Sequence, residues 1–188
     1  ELLNFCTVDL SSFYFDIRKD ALYCDSKDSD RRKSSIVVLN IILESLVKWF
    51  APILSFTTEE IFTLISKNSK SIHLEEFIEF PKSFENNQLN KKWTELKKIR
   101  DICNISIETK RGSKEIGSSL EANLIINLGK GLIEISKNVD FAELCITSSA
   151  IVQKSNTEEV MIETIKAEGS KCPVCWKISK EKCTRHSN

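Results

Sequence analysis

The C-terminal part of the sequence contains Lys171-Cys172-Pro173-Val174-Cys175-Trp176 and then Cys183-Thr184-Arg185-His186. These residues form two pairs of potential metal ligands, Cys-x2-Cys and Cys-x2-His. Each pair can fold as a tight turn that directs two side chains at one point. Three thiolates and one imidazole suit the tetrahedral coordination of zinc. The spacing therefore predicts a structural zinc site formed by Cys172, Cys175, Cys183 and His186.

Chance clustering, a disulfide and a redox Cys-x-x-Cys motif are the alternatives for this cluster. A disulfide is disfavoured in the cytosolic setting that we expect. A redox Cys-x-x-Cys motif usually lies at the start of a helix that follows a strand. Here the motif lies near the end of the sequence and a second pair of potential ligands follows it, which weakens the redox alternative. The terminal stretch is too short to build its own core, so the metal has to supply its folding free energy.

Outward from this cluster, the composition favours a folded chain without a global charge. The 188 residues are 41% hydrophobic, and Lys+Arg and Asp+Glu both number 27. A packed core is therefore expected, and any nucleic-acid contact has to come from local basic patches. The other four cysteines (Cys6, Cys24, Cys103 and Cys145) lie far apart and are predicted to be small, mostly buried side chains.

No apolar run approaches the roughly 20 residues that span a bilayer. The N-terminus lacks a signal-peptide pattern and does not begin with Met. These features predict a cytoplasmic protein with no membrane partner, and a chain that is a fragment of a longer one.

Helical periodicity dominates the first 111 residues. Helices are predicted over residues 4–23, 30–50, 57–66 and 87–110, with Pro52 ending the second and a capping box at Thr57 opening the third. The second helix is expected to bury a stripe that includes Ile36 and Leu43. Trp49 and Trp93 lie on apolar stripes and are predicted to be core. Together the helices predict an antiparallel helical bundle.

After Gly112 the periodicity changes to that of a small α+β unit. Residues 122–128 alternate between apolar and polar side chains, which predicts a strand. A short helix over 131–137 and strands over 143–152 and 160–166 follow. The predicted fold is thus mostly α, then α+β, with three domains: a bundle over 1–111, a junction domain over 112–168 and a zinc module over 169–188.

Four stretches resemble the bacterial type of isoleucyl-tRNA synthetase, a family of class I aminoacyl-tRNA synthetases. Asn4-Phe5-Cys6-Thr7-Val8-Asp9-Leu10-Ser11-Ser12-Phe13-Tyr14 resembles the opening of its anticodon-binding bundle. Ala51-Pro52-Ile53-Leu54-Ser55-Phe56-Thr57-Thr58-Glu59-Glu60-Ile61 is similar to a segment between bundle helices. Ile116-Gly117-Ser118-Ser119-Leu120-Glu121-Ala122 resembles the junction, and Glu168-Gly169-Ser170-Lys171-Cys172-Pro173-Val174-Cys175-Trp176 the zinc module. The departure is at the last ligand, where the family usually has a second Cys-x2-Cys pair and this sequence has His186.

The resemblance implies a parent enzyme that activates isoleucine with ATP, transfers it to its tRNA and hydrolyses mischarged valine. The sequence contains neither nucleotide-binding motif of class I synthetases. Lys67-Asn68-Ser69-Lys70-Ser71 is only superficially similar to the second of these motifs. We therefore expect no catalytic residues and no aminoacylation by the chain alone, with ATP bound only in the missing catalytic domain.

A single-stranded loop is held by stacking on aromatic rings and by cations on phosphates. Trp176 is the stacking candidate, although it serves equally well to pack the zinc module onto the α+β unit. The candidate phosphate contacts around the cluster are Lys171, Lys177, Lys180, Lys182 and Arg185. Arg31 and Arg32 begin a bundle helix, where they either lie along the anticodon stem or form a solvated face.

The resemblance implies isoleucine tRNA and the remainder of a monomeric synthetase as partners. One alternative is a zinc-containing helical module that binds only proteins. Another is the equivalent tail of a valyl or leucyl enzyme. Salt-dependent RNA binding separates the first alternative, and preference for the wrong tRNA separates the second.

Overall fold

The computed structural model describes residues 1–66 and 71–185, which belong to two compact units. Unit 1 comprises Glu1–Ser26 and Asn86–Asn188, and unit 2 comprises Lys27–Glu85. The predicted fold class, a helical bundle followed by a small α+β unit, is confirmed. Within the described residues, none of the helices has both the length and the apolar character that a membrane span requires.

Residues 2–24 form one continuous helical segment, close to the predicted 4–23, but with an unexpected geometry. It consists of α1 (Leu2–Asn4), a π-helical stretch (Phe5–Phe15) and α2 (Asp16–Cys24). A π-helix bonds residue i to residue i+5, so the 3.6-residue spacing read from the sequence does not follow its buried face. Within the π-helical stretch Leu10 is buried and Val8 is 52% exposed, whereas Ile17 and Ala21 in α2 are buried at the ordinary helical spacing.

Helix α5 (Asn87–Gly112) provides the central support of unit 1. The side chain of Asn86 caps it by accepting a hydrogen bond from the backbone N–H of Leu89 at 2.9 Å. Its buried side chains follow helical spacing: Leu96, Ile99, Cys103 and Ile107. Trp93 is half-buried and packs edge-on against Phe13 of the N-terminal helical segment, with ring centroids 6.1 Å apart.

A three-stranded sheet in the order β2-β1-β3 packs against α5. Strand β1 (Ala122–Leu128) pairs in parallel with β2 (Ser149–Lys154) and antiparallel with β3 (Met161–Lys166). Alternate β1 side chains are fully buried in the same core as α5: Ala122, Leu124, Ile126 and Leu128. The hydroxyl groups of Ser106 and Thr164 lie 2.6 Å apart and link α5 to β3.

Short elements complete unit 1: α6 (Lys130–Ile135), α7 (Phe141–Leu144), β4 (Ser170–Lys171), β5 (Ile178–Ser179) and a 3-10 turn (Ser119–Glu121). The predicted strand over 143–152 is wrong in its first half, because Phe141–Leu144 is helical and Asp140 caps this turn. The predicted domain boundaries at 111/112 and 168/169 remain predictions. Within unit 1, the helix before the first boundary shares a core with the sheet after it.

Unit 2 contains α3 (Asp30–Phe50), α4 (Ser55–Ile65) and the 3-10 turns Ile72–Leu74 and Lys82–Phe84. Its core is small, consisting of Val47, Ala51, Phe62 and Ile72, with Ile61 packed against it. The carboxylate of Glu59 accepts bonds from the Ser71 hydroxyl and the Ile72 N–H, both at 2.9 Å.

Two expectations for unit 2 need correction. Helix α4 begins at Ser55, not at a capping box on Thr57, and the Thr58 hydroxyl donates to the carbonyl of Leu54 at 2.9 Å. The predicted α3 stripe is also displaced, since Ile36 is 41% exposed while Ser35 on the neighbouring position is buried. Serine can occupy this face because its hydroxyl bonds to the carbonyl four residues earlier. Trp49 is half-buried rather than fully buried.

Candidate metal centre and nucleic-acid interface

A two-stranded hairpin, β4 and β5, carries the cysteine turn. Ser170 pairs with Ser179 and Lys171 with Ile178. Gly169 leads into this hairpin with φ of 126°, a region that side-chain-bearing residues rarely adopt. A Cβ atom on this residue would lie 2.2 Å from the carbonyl oxygen of Ser179. Glycine is therefore required where the chain enters the hairpin.

The segment from Cys172 to Trp176 is a tight turn held by its own backbone. The N–H of Cys172 donates to the carbonyl of Lys177 at 2.9 Å, and the N–H of Trp176 donates to the carbonyl of Cys172 at 3.0 Å. Trp176 has φ of 62°, in the left-handed region. The turn brings the two sulfurs of the Cys-x2-Cys pair to the same side, as the spacing predicted.

The three cysteines form a cluster that can hold a metal ion. The sulfurs of Cys172, Cys175 and Cys183 all lie within 4.8 Å of one another. Two sulfurs bound to one zinc at about 2.3 Å each in a tetrahedron lie about 3.8 Å apart, so the three sulfurs can reach a shared ion after shifts of at most about 1 Å. All seven cysteines of the chain are free thiols. His186, the predicted fourth ligand, lies outside the described residues.

The pKa values of the two thiols in this turn are shifted in opposite directions. Backbone N–H groups of Cys175 and Val174 point at the Cys172 sulfur and lower the pKa of this thiol to about 7. Burial raises the pKa of Cys175 to about 11. Because the thiolate is the form that binds metal, a bound cation would take the place of the proton on Cys175.

The Ser148 hydroxyl links the hairpin to the sheet. This hydroxyl accepts a hydrogen bond from the N–H of Ile178 at 2.7 Å and donates to the carbonyl of Leu120 at 2.5 Å. The metal-binding segment is thus attached through β5 to the residues that precede β1 and β2.

A guanidinium group links the far end of the segment to the N-terminal helix. Arg185 donates from Nη1 to Asp20 at 2.5 Å and from Nε to Asp25 at 2.6 Å. Its Nη2 lies 2.5 Å from the Asp25 carboxylate and 3.4 Å from the Asp20 carbonyl. Arg185 is therefore held between two acids of unit 1, whereas its place among the basic residues around the cysteines predicted a phosphate contact.

The lysines around the cluster differ in how available they are. Lys180 pairs with Glu168 at 2.7 Å on the surface, and this contact raises the pKa of Lys180 and lowers that of Glu168. Lys171 lies with its ammonium 5.2 Å from the centre of the Trp176 ring. Lys182 is exposed and Lys177 is half-buried. The geometry brings these four cations and the indole onto one small segment.

Trp176 is 58% exposed and borders an apolar cavity of ≈ 350 Å³. The cavity lies between α2, the cysteine turn and the residues around α7, and its wall includes Ile17, Tyr23, Leu120, Ile146 and Val174. Tyr23 is 83% exposed. Tyr23 and Trp176 are thus exposed rings that line this cavity, and an unpaired base can stack on such rings.

Arg31 and Arg32 lie in the first turn of α3, in unit 2. Both are half-buried, and the N–H of Arg32 donates to the Ser29 hydroxyl that caps the helix. The structure therefore places the predicted arginine pair on a different unit from the cysteine cluster.

Sequence reasoning overlooked the acids that receive Arg185 and the hydroxyl of Ser148. Asp20 and Asp25 lie 165 and 160 residues from Arg185, so nothing local identifies them. Tyr23 was also overlooked, because an exposed tyrosine at the end of a helix has no distinctive sequence pattern.

Comparison with known proteins defines the class. A family model described as the anticodon-binding domain of tRNA ligase matches residues 1–126. The match covers well over half of the chain, and the chain belongs to this family of anticodon-binding domains.

The similar proteins are isoleucine–tRNA ligases, which are aminoacyl-tRNA synthetases. The chain is 81% identical to the isoleucine–tRNA ligase of Pelagibacter ubique (strain HTCC1062) over 188 residues, 100% of the chain and 21% of that protein. It is 39% identical to the isoleucine–tRNA ligase of Agrobacterium fabrum (strain C58) over 189 residues, 95% of the chain and 20% of that protein. The chain thus spans about a fifth of the length of these relatives. The resemblance read from the sequence is confirmed.

Proposed function

We propose that this chain is the tRNA-recognising C-terminal region of an isoleucine–tRNA ligase, an enzyme of protein biosynthesis. The single observation that carries this proposal is the 81% identity to an isoleucine–tRNA ligase over the whole chain. The anticodon-binding family match over residues 1–126 supports tRNA as the partner. The cluster of cations and an exposed indole on one segment gives the proposal a physical basis.

The parent enzyme attaches isoleucine to its tRNA with ATP, and this chain supplies binding rather than chemistry. Its part is to hold the anticodon stem and loop while the rest of the synthetase acts at the other end of the tRNA. We place the enzyme in the cytoplasm and propose that it acts as a monomer.

The proposed zinc ligands are Cys172, Cys175, Cys183 and His186. Zinc would supply a fixed cation that neutralises the thiolates and holds the two turns together. A closed set of four protein ligands leaves no position for substrate, so the role is structural. The hairpin has few apolar side chains of its own, and metal binding would contribute the free energy that folds it.

The proposed RNA contacts divide into stacking and phosphate binding. Trp176 supplies the exposed ring. The cationic contacts are Lys171, Lys177, Lys180 and Lys182 near the cluster, with Arg31 and Arg32 toward the stem. Arg185 is engaged with two carboxylates, so its contribution to the phosphate surface is the least direct.

Binding of isoleucine, valine and leucine tRNAs at two salt concentrations tests the partner. We expect isoleucine tRNA to bind most tightly and its affinity to fall with salt, because released counterions drive phosphate contacts. Trp176→Ala should weaken binding by about 5- to 150-fold, the equivalent of about 1–3 kcal/mol for one stacked base. Phe84→Ala, which removes another exposed ring (65% exposed), is the matched control. Equal affinity for all three tRNAs would contradict the proposal.

Metal analysis of Cys175→Ser tests the ligand set. The variant should lose stoichiometric zinc and the protection of the hairpin amides. Cys6→Ser, at a half-buried cysteine outside the cluster, should retain both. Full zinc occupancy in Cys175→Ser would overturn the ligand assignment while leaving the tRNA proposal open to its own test.

A further inference from the structure

Arg185 lies in a largely buried ion-pair site with several hydrogen bonds, unlike a pair of exposed side chains. The side chain of Asp25 is only 6% exposed, and those of Arg185 and Asp20 are 23% and 22% exposed. Three guanidinium nitrogens reach two carboxylates and one backbone carbonyl at 2.5–3.4 Å. A planar fork of fixed donors is what distinguishes such an arginine site from a loose surface pair.

The position of Arg185 in the chain connects this ion pair to the metal cluster. It lies two residues after Cys183, whereas the Ser148 hydrogen bond holds the opposite side of the segment at Ile178. The Cys24 thiol lies 3.7 Å from the carbonyl of Val174 and adds a weak contact between the same helix and the cysteine turn. The segment is therefore anchored at two separate points, one at Ser148 just before β2 and one at the C-terminal end of α2.

We infer that Arg185 is a positioning residue, which clamps the metal-binding segment to the N-terminal helix and so fixes the surface that faces RNA. The inference rests on the proposed function for its effect on tRNA, but the clamp itself concerns only this chain. In this role Arg185 contacts no phosphate. Asp20 and Asp25 are part of the RNA-binding architecture even though they carry the same charge as RNA.

The negative charges of Asp20 and Asp25 allow a clamp to be distinguished from a phosphate contact by the direction in which tRNA affinity changes. A carboxylate near an RNA surface repels phosphate, so neutralising Asp20 or Asp25 should strengthen binding if the acids act only through their charge. If Arg185 is a clamp, the same substitutions release the segment and weaken binding. A phosphate contact and a clamp thus predict opposite effects of Asp20→Asn and Asp25→Asn.

The experiment measures tRNA affinity across a salt series with the full chain loaded with zinc. We expect Arg185→Gln and the double variant D20N/D25N each to weaken binding about tenfold, within the usual range of coupling between sites. The slope of log affinity against log salt should stay that of the unmodified chain, because no phosphate contact is lost. Arg185→Gln added to D20N/D25N should cause little further loss, since both remove one interaction.

The matched controls are Arg111→Gln and Asp101→Asn. Arg111 pairs with Glu108 on the exposed side of α5, and Asp101 is an exposed acid of the same helix. They report the effect of losing one arginine or one acid far from the clamp, and we expect less than a twofold change.

Hydrogen exchange and zinc content test in the absence of RNA whether Arg185 clamps the segment. All clamp variants should retain zinc and exchange the amides of the hairpin about tenfold faster. Stronger tRNA binding by D20N/D25N, or a salt slope reduced by about one in Arg185→Gln, would identify a phosphate contact and overturn the inference. Loss of zinc from Arg185→Gln would overturn it too, since the residue would then serve the folding of the metal site. If the unmodified chain does not bind tRNA, the proposed function fails, and exchange alone decides whether the clamp exists.

Discussion

Replacing Ser148 with alanine should loosen the metal-binding segment by an amount that the structure allows to be worked out. The hydroxyl makes two hydrogen bonds, one from the N–H of Ile178 and one to the carbonyl of Leu120. Only the bond from Ile178 breaks when β5 opens, and it contributes about 1 kcal/mol net. Ser148→Ala should therefore reduce the free energy of opening β5 by about 1 kcal/mol, or about fivefold in the opening equilibrium.

Native-state hydrogen exchange of the Ile178 amide is the assay, because this N–H donates the hydrogen bond to the Ser148 hydroxyl. We expect exchange about fivefold faster in the zinc-loaded variant, with amides in the centre of β1 unchanged. Ser149→Ala removes the adjacent hydroxyl and leaves both bonds of Ser148 intact, so it serves as the control. Unchanged protection at Ile178, or an equal effect of Ser149→Ala, would refute the reasoning.

Three other predictions follow from the geometry. Gly169→Ala should destabilise the hairpin by more than about 2 kcal/mol and lower zinc affinity in a chelator competition, because its Cβ would overlap a backbone carbonyl at positive φ. Gly131→Ala, with open space around it, should be neutral or slightly stabilising. In the metal-free chain, Cys172 should be alkylated at a rate that rises through a midpoint near pH 7, since its folded pKa is below that of an ordinary thiol; the stability that its thiolate adds is lost as pH falls through this value. Ile107→Ala should cost about 2–5 kcal/mol in urea unfolding, whereas Ile105→Ala, at a 68% exposed position on the same helix, should cost under about 1 kcal/mol.

Patterns of neighbouring residues correctly predicted the elements whose structure depends on hydrophobic periodicity or on short spacings. The alternation over Ala122–Leu128 and the helical spacing of α5 both correspond to observed elements, because one face of each is buried against the same core. The three cysteines could be grouped from their spacing, since a turn of four residues brings both sulfurs of a pair together. The similarity to isoleucine–tRNA ligases was likewise available from short stretches that lie in order along the chain.

Interactions between distant parts of the chain could not be predicted in this way. The partners of Arg185 lie at the C-terminal end of α2, and a basic residue beside a cysteine cluster has the same local pattern whether it meets a phosphate or an aspartate. The π-helical stretch Phe5–Phe15 was also out of reach, because hydrophobic periodicity assumes 3.6 residues per turn. Thr57 shows the limit of capping motifs, since α4 already begins at Ser55, two residues before the predicted cap.

The left-handed backbone conformation of Trp176 lowers the stability of the hairpin at the same residue that provides the proposed stacking ring. At φ of 62° a side chain costs about 1–2 kcal/mol that glycine would not. The indole is more than half exposed, so burial returns little of this cost. Glycine at this position would make a sturdier hairpin with nothing to offer a base. A redesign of this chain for stability that replaced residue 176 by glycine on backbone criteria would thereby remove the ring on which the proposed RNA contact depends.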